Sequence, residues 1–154
     1  MKSLKLLNYA ADQWVAGDGS LAEVHSAITG ETIAETGSKG LDFKAMLDHA
    51  RNVGGPALRR MTFHDRAWML KALAQAVMAR KEELYELSYN SGATRTDGWI
   101  DIEGGAGTLF SFSSKGRREL PNGRILVDGA MEPLSKGGSF VGQHVFTPLQ
   151  GVAV

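Results

Sequence analysis

Phe146-Thr-Pro-Leu-Gln-Gly-Val-Ala-Val154 is the stretch on which the reading of the fold turns. Pro148 cannot donate to a central ladder, so it divides the strand-like residues before it from those after it. The residues after it, Leu149 to Val154, form an apolar run rich in β-branched side chains. A run of that kind ordinarily lies in a sheet with neighbours on both sides. The expectation is therefore a first strand whose partner strands lie elsewhere, with the 154 residues forming the front of something larger.

Working backwards, "SFVGQHVFTP" (139–148) and "RILVDG" (124–129) have strand composition, and the second ends on an Asp-Gly turn signal. Upstream lie three helical patterns. "TDGWIDIEGGAGTLFSFSSKGRRELPNG" (96–123) opens near Asp97 and closes at Pro121-Asn122-Gly123, with Ile102, Ala106, Leu109, Phe110 and Ser113 on one face. Its glycines weaken it by about 1 kcal/mol each against alanine, which is tolerable where another backbone packs closely. "TFHDRAWMLKALAQAVMARKEELYELSYNSGAT" (62–94) reads as one helix about 40 Å long. A Thr62/Asp65 capping box opens it, Leu70, Leu73, Val77, Leu84 and Leu87 line it, and Gly92 stops it. "LDFKAMLDHARNVGGP" (41–56) is capped by Asp42, has Phe43, Met46, Leu47 and Ala50 on one face, and should stop at Gly54-Gly55-Pro56. The first third reads as short strands. "QWVAG" (13–17) runs into the turn Gly17-Asp18-Gly19, and Thr29-Gly30-Glu31 turns between Ala27-Ile28 and Thr32-Ile33-Ala34.

Composition narrows the function classes. At 43% hydrophobic and 22% charged, the chain has the balance of a soluble globular protein. Seventeen basic side chains match seventeen acidic ones, so no net field recruits nucleic acid or anionic lipid. Arg59, Arg60 and Arg66 near Asp65, and Arg117 and Arg118 near Glu119, read as solvated faces. There is no cysteine, which removes disulfides, thiolate metal sites and cysteine nucleophiles from this stretch. No signal peptide and no membrane-length apolar run is visible, and a cytoplasmic location is expected.

No chemical constellation stands out. Gly105-Ala106-Gly107 followed by Asp128 has the outline of a dinucleotide fingerprint. Against it, Phe110 occupies the position that needs a small residue, Asp101 interrupts the supposed strand Trp99 to Ile102, and no second βαβ half follows. Close helix packing is the preferred reading of those glycines. His25, His49, His64 and His144 form no metal-ligand pair; His49 and His64 read as solvent-facing. Ser111, Ser113 and Ser114 lack a nucleophile elbow. Glu82, Glu83 and Glu86 belong to an exposed helix face, paired with Arg80 or Lys81, while Trp68 and Tyr85 read as packing residues. No catalytic, cofactor-binding or metal residue is assigned within the chain.

The segments "AITGETIAETGSKGLDFKAMLDHAR", "RMTFHDRAWMLKALAQAVMARKEELYELSYNSGAT", "GRILVDG" and "FVGQHVFTPLQGVAV" together resemble the opening of aldehyde dehydrogenases. The narrower stretches "GGPALRRMTFHDRAWMLKALA", "SGATRTDGWIDIEGGAGTLF" and "EPLSKGGSFVGQHVFTP" are similar to the dehydrogenase half of the bifunctional ring-opening proteins of phenylacetate degradation. They are also similar to the related semialdehyde dehydrogenases of the benzoyl-CoA route. The resemblance implies an α/β fold: short β hairpins, packed helices, oligomerisation strands and the start of a Rossmann-like sheet. It implies three parts: 1–122 flanking the cofactor domain, 123–148 as an oligomerisation arm, and 149–154 as the first strand of the cofactor-binding sheet. It further implies NAD or NADP in the full-length enzyme, with none held by this stretch, and homo-oligomers formed through 125–127 and 140–147. The substrate would be a small-molecule aldehyde; neither nucleic acid nor membrane would be a partner. The nucleophilic cysteine, the general-base glutamate and the oxyanion-hole asparagine would lie beyond Val154, leaving the segment inactive alone. Two other readings remain: a free-standing interaction module, and a minimal dinucleotide binder using Gly105, Gly107 and Asp128.

Overall fold

The computed structural model describes residues 4–148; the run from Leu149 to Val154 on which the sequence reading turned lies outside the described residues. Strands β1 (Leu4–Lys5), β2 (Asn8–Ala10), β3 (Gln13–Val15), β4 (Ala22–His25) and β5 (Thr32–Thr36) come first. Helices α1 (Phe43–His49), α2 (Gly55–Arg60), α3 (Phe63–Ala79), α4 (Lys81–Asn90) and α5 (Arg95–Glu119) come next, and strands β6 (Leu126–Pro133) and β7 (Val141–Phe146) come last. This is an α/β chain with three small sheets among the described residues: β1-β5-β4, the hairpin β2-β3 and the hairpin β6-β7.

In the first sheet β1 runs parallel to β5 and β4 antiparallel to it. The turn between β4 and β5 is longer than the sequence suggested, because Ala27 and Ile28 lie in the turn and Ala22–His25 is the strand. Ser26 explains this. Its buried hydroxyl accepts from the amides of Ile28 and Thr29, and its own amide donates to Glu31 O, which folds the segment into a local turn. The Ala27 amide then donates to Asn90 O at 2.8 Å, docking the turn on the end of α4. The β2-β3 hairpin turns through Ala11 (φ 47°) and Asp12 (φ 64°), the double left-handed geometry of a type I′ turn. Across it Tyr9 faces Trp14, their rings 5.0 Å apart and edge-on.

The helical part departs from the sequence reading in two places. Gly54-Gly55-Pro56 does not end the first helix. A π-helical turn, Ala50–Gly54, carries the chain into α2, with the Gly55 amide reaching back to Ala50 O. Widening to an i→i+5 bond absorbs a proline that has no N–H and would crowd a tighter turn. The 40 Å rod is also absent, because Arg80 (φ −113°, ψ 16°) breaks it into α3 and α4. The bend lets α4 lean against α5, which at 25 residues is the longest of the described helices.

Both long helices start as the sequence requires. Thr62 and Asp65 exchange hydrogen bonds in one capping box, Thr94 and Asp97 in a second. Hydrogen bonds from the Thr62 amide and hydroxyl hold the Asp65 carboxyl below the ordinary aspartate range; the Thr94 hydroxyl and amide do the same for Asp97. A carboxylate whose folded pKa lies below its unfolded value stabilises the fold above the unfolded value and loses that contribution as pH falls through the folded one. Thermal midpoints should therefore drop as pH falls below about 4. A D65N/D97N double variant should show a shallower drop over the same window in calorimetry.

The helices meet through small residues. Ala67 and Ala74 of α3 and Ala106 and Ser113 of α5 are buried, and the face expected from Ile102 to Ser113 is the one turned inward. Leu73 and Leu87, expected on the inner stripe, are instead exposed. Among the described residues the buried apolar side chains number only five, Ala34, Ala67, Ala74, Tyr85 and Ala106. The chain exposes 11323 Å², against about 7,600 Å² for a self-contained monomer of 16.6 kDa. Within that thin core the Ser113 hydroxyl has no hydrogen-bond partner among the described residues. Ser113→Ala should raise stability by about 1 kcal/mol, because it removes an uncompensated buried hydroxyl. A lowered midpoint would show that the hydroxyl is satisfied after all.

Candidate functional site

The residues weighed as chemical groups do not converge. Gly105-Ala106-Gly107 lies in the middle of α5 rather than at a strand-to-helix turn, so its amides belong to the helix ladder and cannot cradle a pyrophosphate. Asp128 stands exposed on β6 opposite His144, and Asp128-Gly129 is no turn. Gly129 (φ 71°) sits where the β6 register shifts, its carbonyl accepting from Gln143 Nε2, and the strand continues to Pro133. The close packing expected at the α5 glycines is also displaced. A Cβ on Gly104, Gly105 or Gly107 would meet nothing within 4 Å, whereas one on Gly98 would lie 3.2 Å from the Tyr85 ring and one on Gly116 3.2 Å from Ala67 Cβ.

The histidines are dispersed, and among the described residues no group of three or more His, Cys, Asp or Glu could hold a metal ion. His49 and His64 are not the solvent-facing residues the sequence suggested. His49 Nε2 is 3.3 Å from Asp12 Oδ2, tying α1 to the β2-β3 turn, and His64 Nε2 is 3.0 Å from Leu120 O, tying the start of α3 to the end of α5.

The strongest polar cluster joins α4 to α5, and sequence reading had not assembled it. The Tyr85 hydroxyl donates to Glu103 Oε1 at 2.6 Å, and Lys81 Nζ donates to the same oxygen at 3.1 Å. Arg95 lies 3.9 Å over the Tyr85 ring and reaches Glu82 Oε2 at 3.2 Å. The bond to Glu103, with burial, pushes the Tyr85 phenol above its ordinary range; the bonds from Tyr85 and Lys81 hold Glu103 below its own. A phenol held this firmly protonated beside a carboxylate is a fastener, not a base. Lys81 thus pairs across to α5 rather than within α4, while the Arg80–Glu83 pair forms as expected. A second fastener has Trp68 of α3 flanked by Arg117 at 4.1 Å and Lys71 at 5.0 Å. Both clusters position helices.

What remains is surface. An apolar cleft of about 310 Å³ opens between α3 and α5, lined by Phe63, Leu70, Phe112 and Leu120. The β6-β7 ribbon exposes Val127, Met131, Val141, Val145 and Phe146, and its outer edges pair with no other strand among the described residues. No helix among them is long and apolar enough to cross a membrane.

Among the described residues the arrangement thus comprises capped helices, two helix-joining clusters, an apolar cleft and an exposed hairpin. The family model of the aldehyde dehydrogenase family matches residues 14–134, and the chain belongs to that family. It is 39% identical over 152 residues to a 3,4-dehydroadipyl-CoA semialdehyde dehydrogenase of Aromatoleum evansii, covering 98% of this chain. The chain spans 29% of the length of that relative.

Proposed function

We propose that these residues are the N-terminal scaffold of an NAD(P)-dependent aldehyde dehydrogenase that oxidises a CoA-thioester semialdehyde of aromatic catabolism to its acid. The observation that carries this reading is the 39% identity running through 98% of the chain to a CoA-semialdehyde dehydrogenase. On this reading residues 1–122 brace the cofactor domain and 123–148 form the arm that contacts other subunits; the part expected of 149–154 lies outside the described residues. The exposed β6-β7 ribbon supports the arm assignment, since both its faces carry apolar side chains and its edges offer unpaired main-chain groups.

In such an enzyme the nicotinamide accepts a hydride from the substrate. These 154 residues contain no cysteine, so a thiolate nucleophile has to come from outside them. Their contribution is rigidity: the Tyr85–Glu103 and Trp68–Arg117 fasteners hold three helices as one block. The test is reduction of NAD or NADP with a CoA-thioester semialdehyde by the full-length protein and by residues 1–154 alone. The expected result is turnover by the first and none by the second. No turnover by the first, or turnover by the second, contradicts the reading.

A further inference from the structure

A cleft of about 360 Å³ lies between the end of α2 and the base of the β6-β7 hairpin, with Arg59, Arg60, Arg124 and Thr147 as its polar lining and no carboxylate. None of the three arginines makes an ion pair among the described residues, whereas Arg80, Arg95 and Arg118 each do. The residues outside the described range, 1–3 and 149–154, contain no Asp or Glu. Arg60 and Arg124 are exposed and Arg59 is half-buried, so solvent reaches all three guanidinia and an anion can approach them.

Most runs of like charge are solvated faces, and the C-terminal dipole of α2 gives Arg59 and Arg60 one reason to stand where they do. Arg124 is exposed too, but it comes from a different segment and is brought to the same mouth by main-chain bonds. The Phe63 amide donates to Gly123 O at 2.8 Å, and His64 Nε2 meets Leu120 O at 3.0 Å. These bonds fasten the corner after α2 to the segment bearing Arg124. Arg59 is itself folded back along its helix, with Nη1 3.0 Å from where a Cβ on Gly55 would stand. The three guanidinia line one cleft with no carboxylate in its lining. Their planar donor forks match phosphate oxygens. Pro56 and Ile125 give the cleft an apolar wall.

The geometry points to a phosphate-binding site, in which Arg59, Arg60 and Arg124 hold the phosphates of a nucleotide-type small molecule. Two sources carry that chemistry: the 3′-phosphoadenosine diphosphate end of a CoA thioester, and the 2′-phosphoadenosine end of NADP. The first rests on the function proposed above; the second does not.

Calorimetric titration of the full-length protein with CoA, dephospho-CoA, NADP and NAD separates them, with an R59Q/R60Q/R124Q variant and R124Q alone as comparisons. R124Q guards against disturbing the end of α2, and circular dichroism checks that both variants fold. The expected result is CoA or NADP binding weakened at least about tenfold in the triple variant, with the preference for CoA over dephospho-CoA, or for NADP over NAD, collapsing towards one. The ligand whose preference collapses is the source. Unchanged affinity for both ligands overturns the site. So does altered subunit assembly at unchanged affinity, which would make the arginines contacts to another copy. Absent turnover of CoA-thioester semialdehydes, with arginine-dependent NADP binding intact, defeats the proposed function and leaves the site standing.

Discussion

Gly17→Ala should destabilise the chain more than any other single added methyl group. A Cβ built on Gly17 stands 2.2 Å from Gly37 O and 2.6 Å from the carbonyl carbon, so the obstacle is main chain and cannot rotate away. The loop after β3 crosses the loop after β5 here, and the Asp18 amide donates to Lys39 O at 2.8 Å beside the crossing. Neither loop can retreat without losing that bond or shifting Asn8 Nδ2, which donates to the same Gly37 O at 2.8 Å. A loss of about 3 kcal/mol is expected for overpacking against rigid backbone, read as a lowered denaturant midpoint. A loss under about 0.5 kcal/mol, the range of an ordinary surface change, would mean that the two loops do not meet.

Ala67→Leu comes next. Ala67 is 3% exposed and faces Gly116 where α3 and α5 cross. Small residues on both sides bring the helix axes close, and a leucine there has to push them apart or leave its rotamer. About 3 kcal/mol is again expected. The damage should spread, because separating the helices also pulls Arg117 off Trp68, now 4.1 Å apart. Tryptophan fluorescence should therefore shift along with stability. A neutral substitution would mean that another pair of faces carries the crossing.

How much of this could be read from the residues depends on the range of the interactions. The Thr62/Asp65 capping box lay within four residues of sequence, and the Asp42 cap and the stop at Gly92 were equally local; the Thr94/Asp97 box is as local, yet only a start near Asp97 was read there. Two misreadings were local, the Ser26 turn after β4 and the π-helical turn before Pro56; the others came where a distant partner decides. Arg80 is an ordinary helix residue by propensity, yet the helix breaks there so that Lys81 and Tyr85 reach Glu103, 22 and 18 residues away. His64 reads as surface until its partner Leu120 O, 56 residues on, is known. Gly104 to Gly107 drew attention by spacing, whereas the glycines packed against other helices are Gly98 and Gly116, for which a single sequence holds no local signal. Family membership was legible for the opposite reason: it rests on many short stretches along the chain, each tolerant of local error.

On the function proposed above, the exposed apolar faces of this segment are covered by the rest of an aldehyde dehydrogenase assembly. Sedimentation velocity of residues 1–154 alone, with a dye that fluoresces on apolar surface, tests it most directly. Concentration-dependent self-association with strong dye binding is the expected result, with both suppressed in the full-length protein. A dye-silent, monodisperse monomer that melts cooperatively would contradict it.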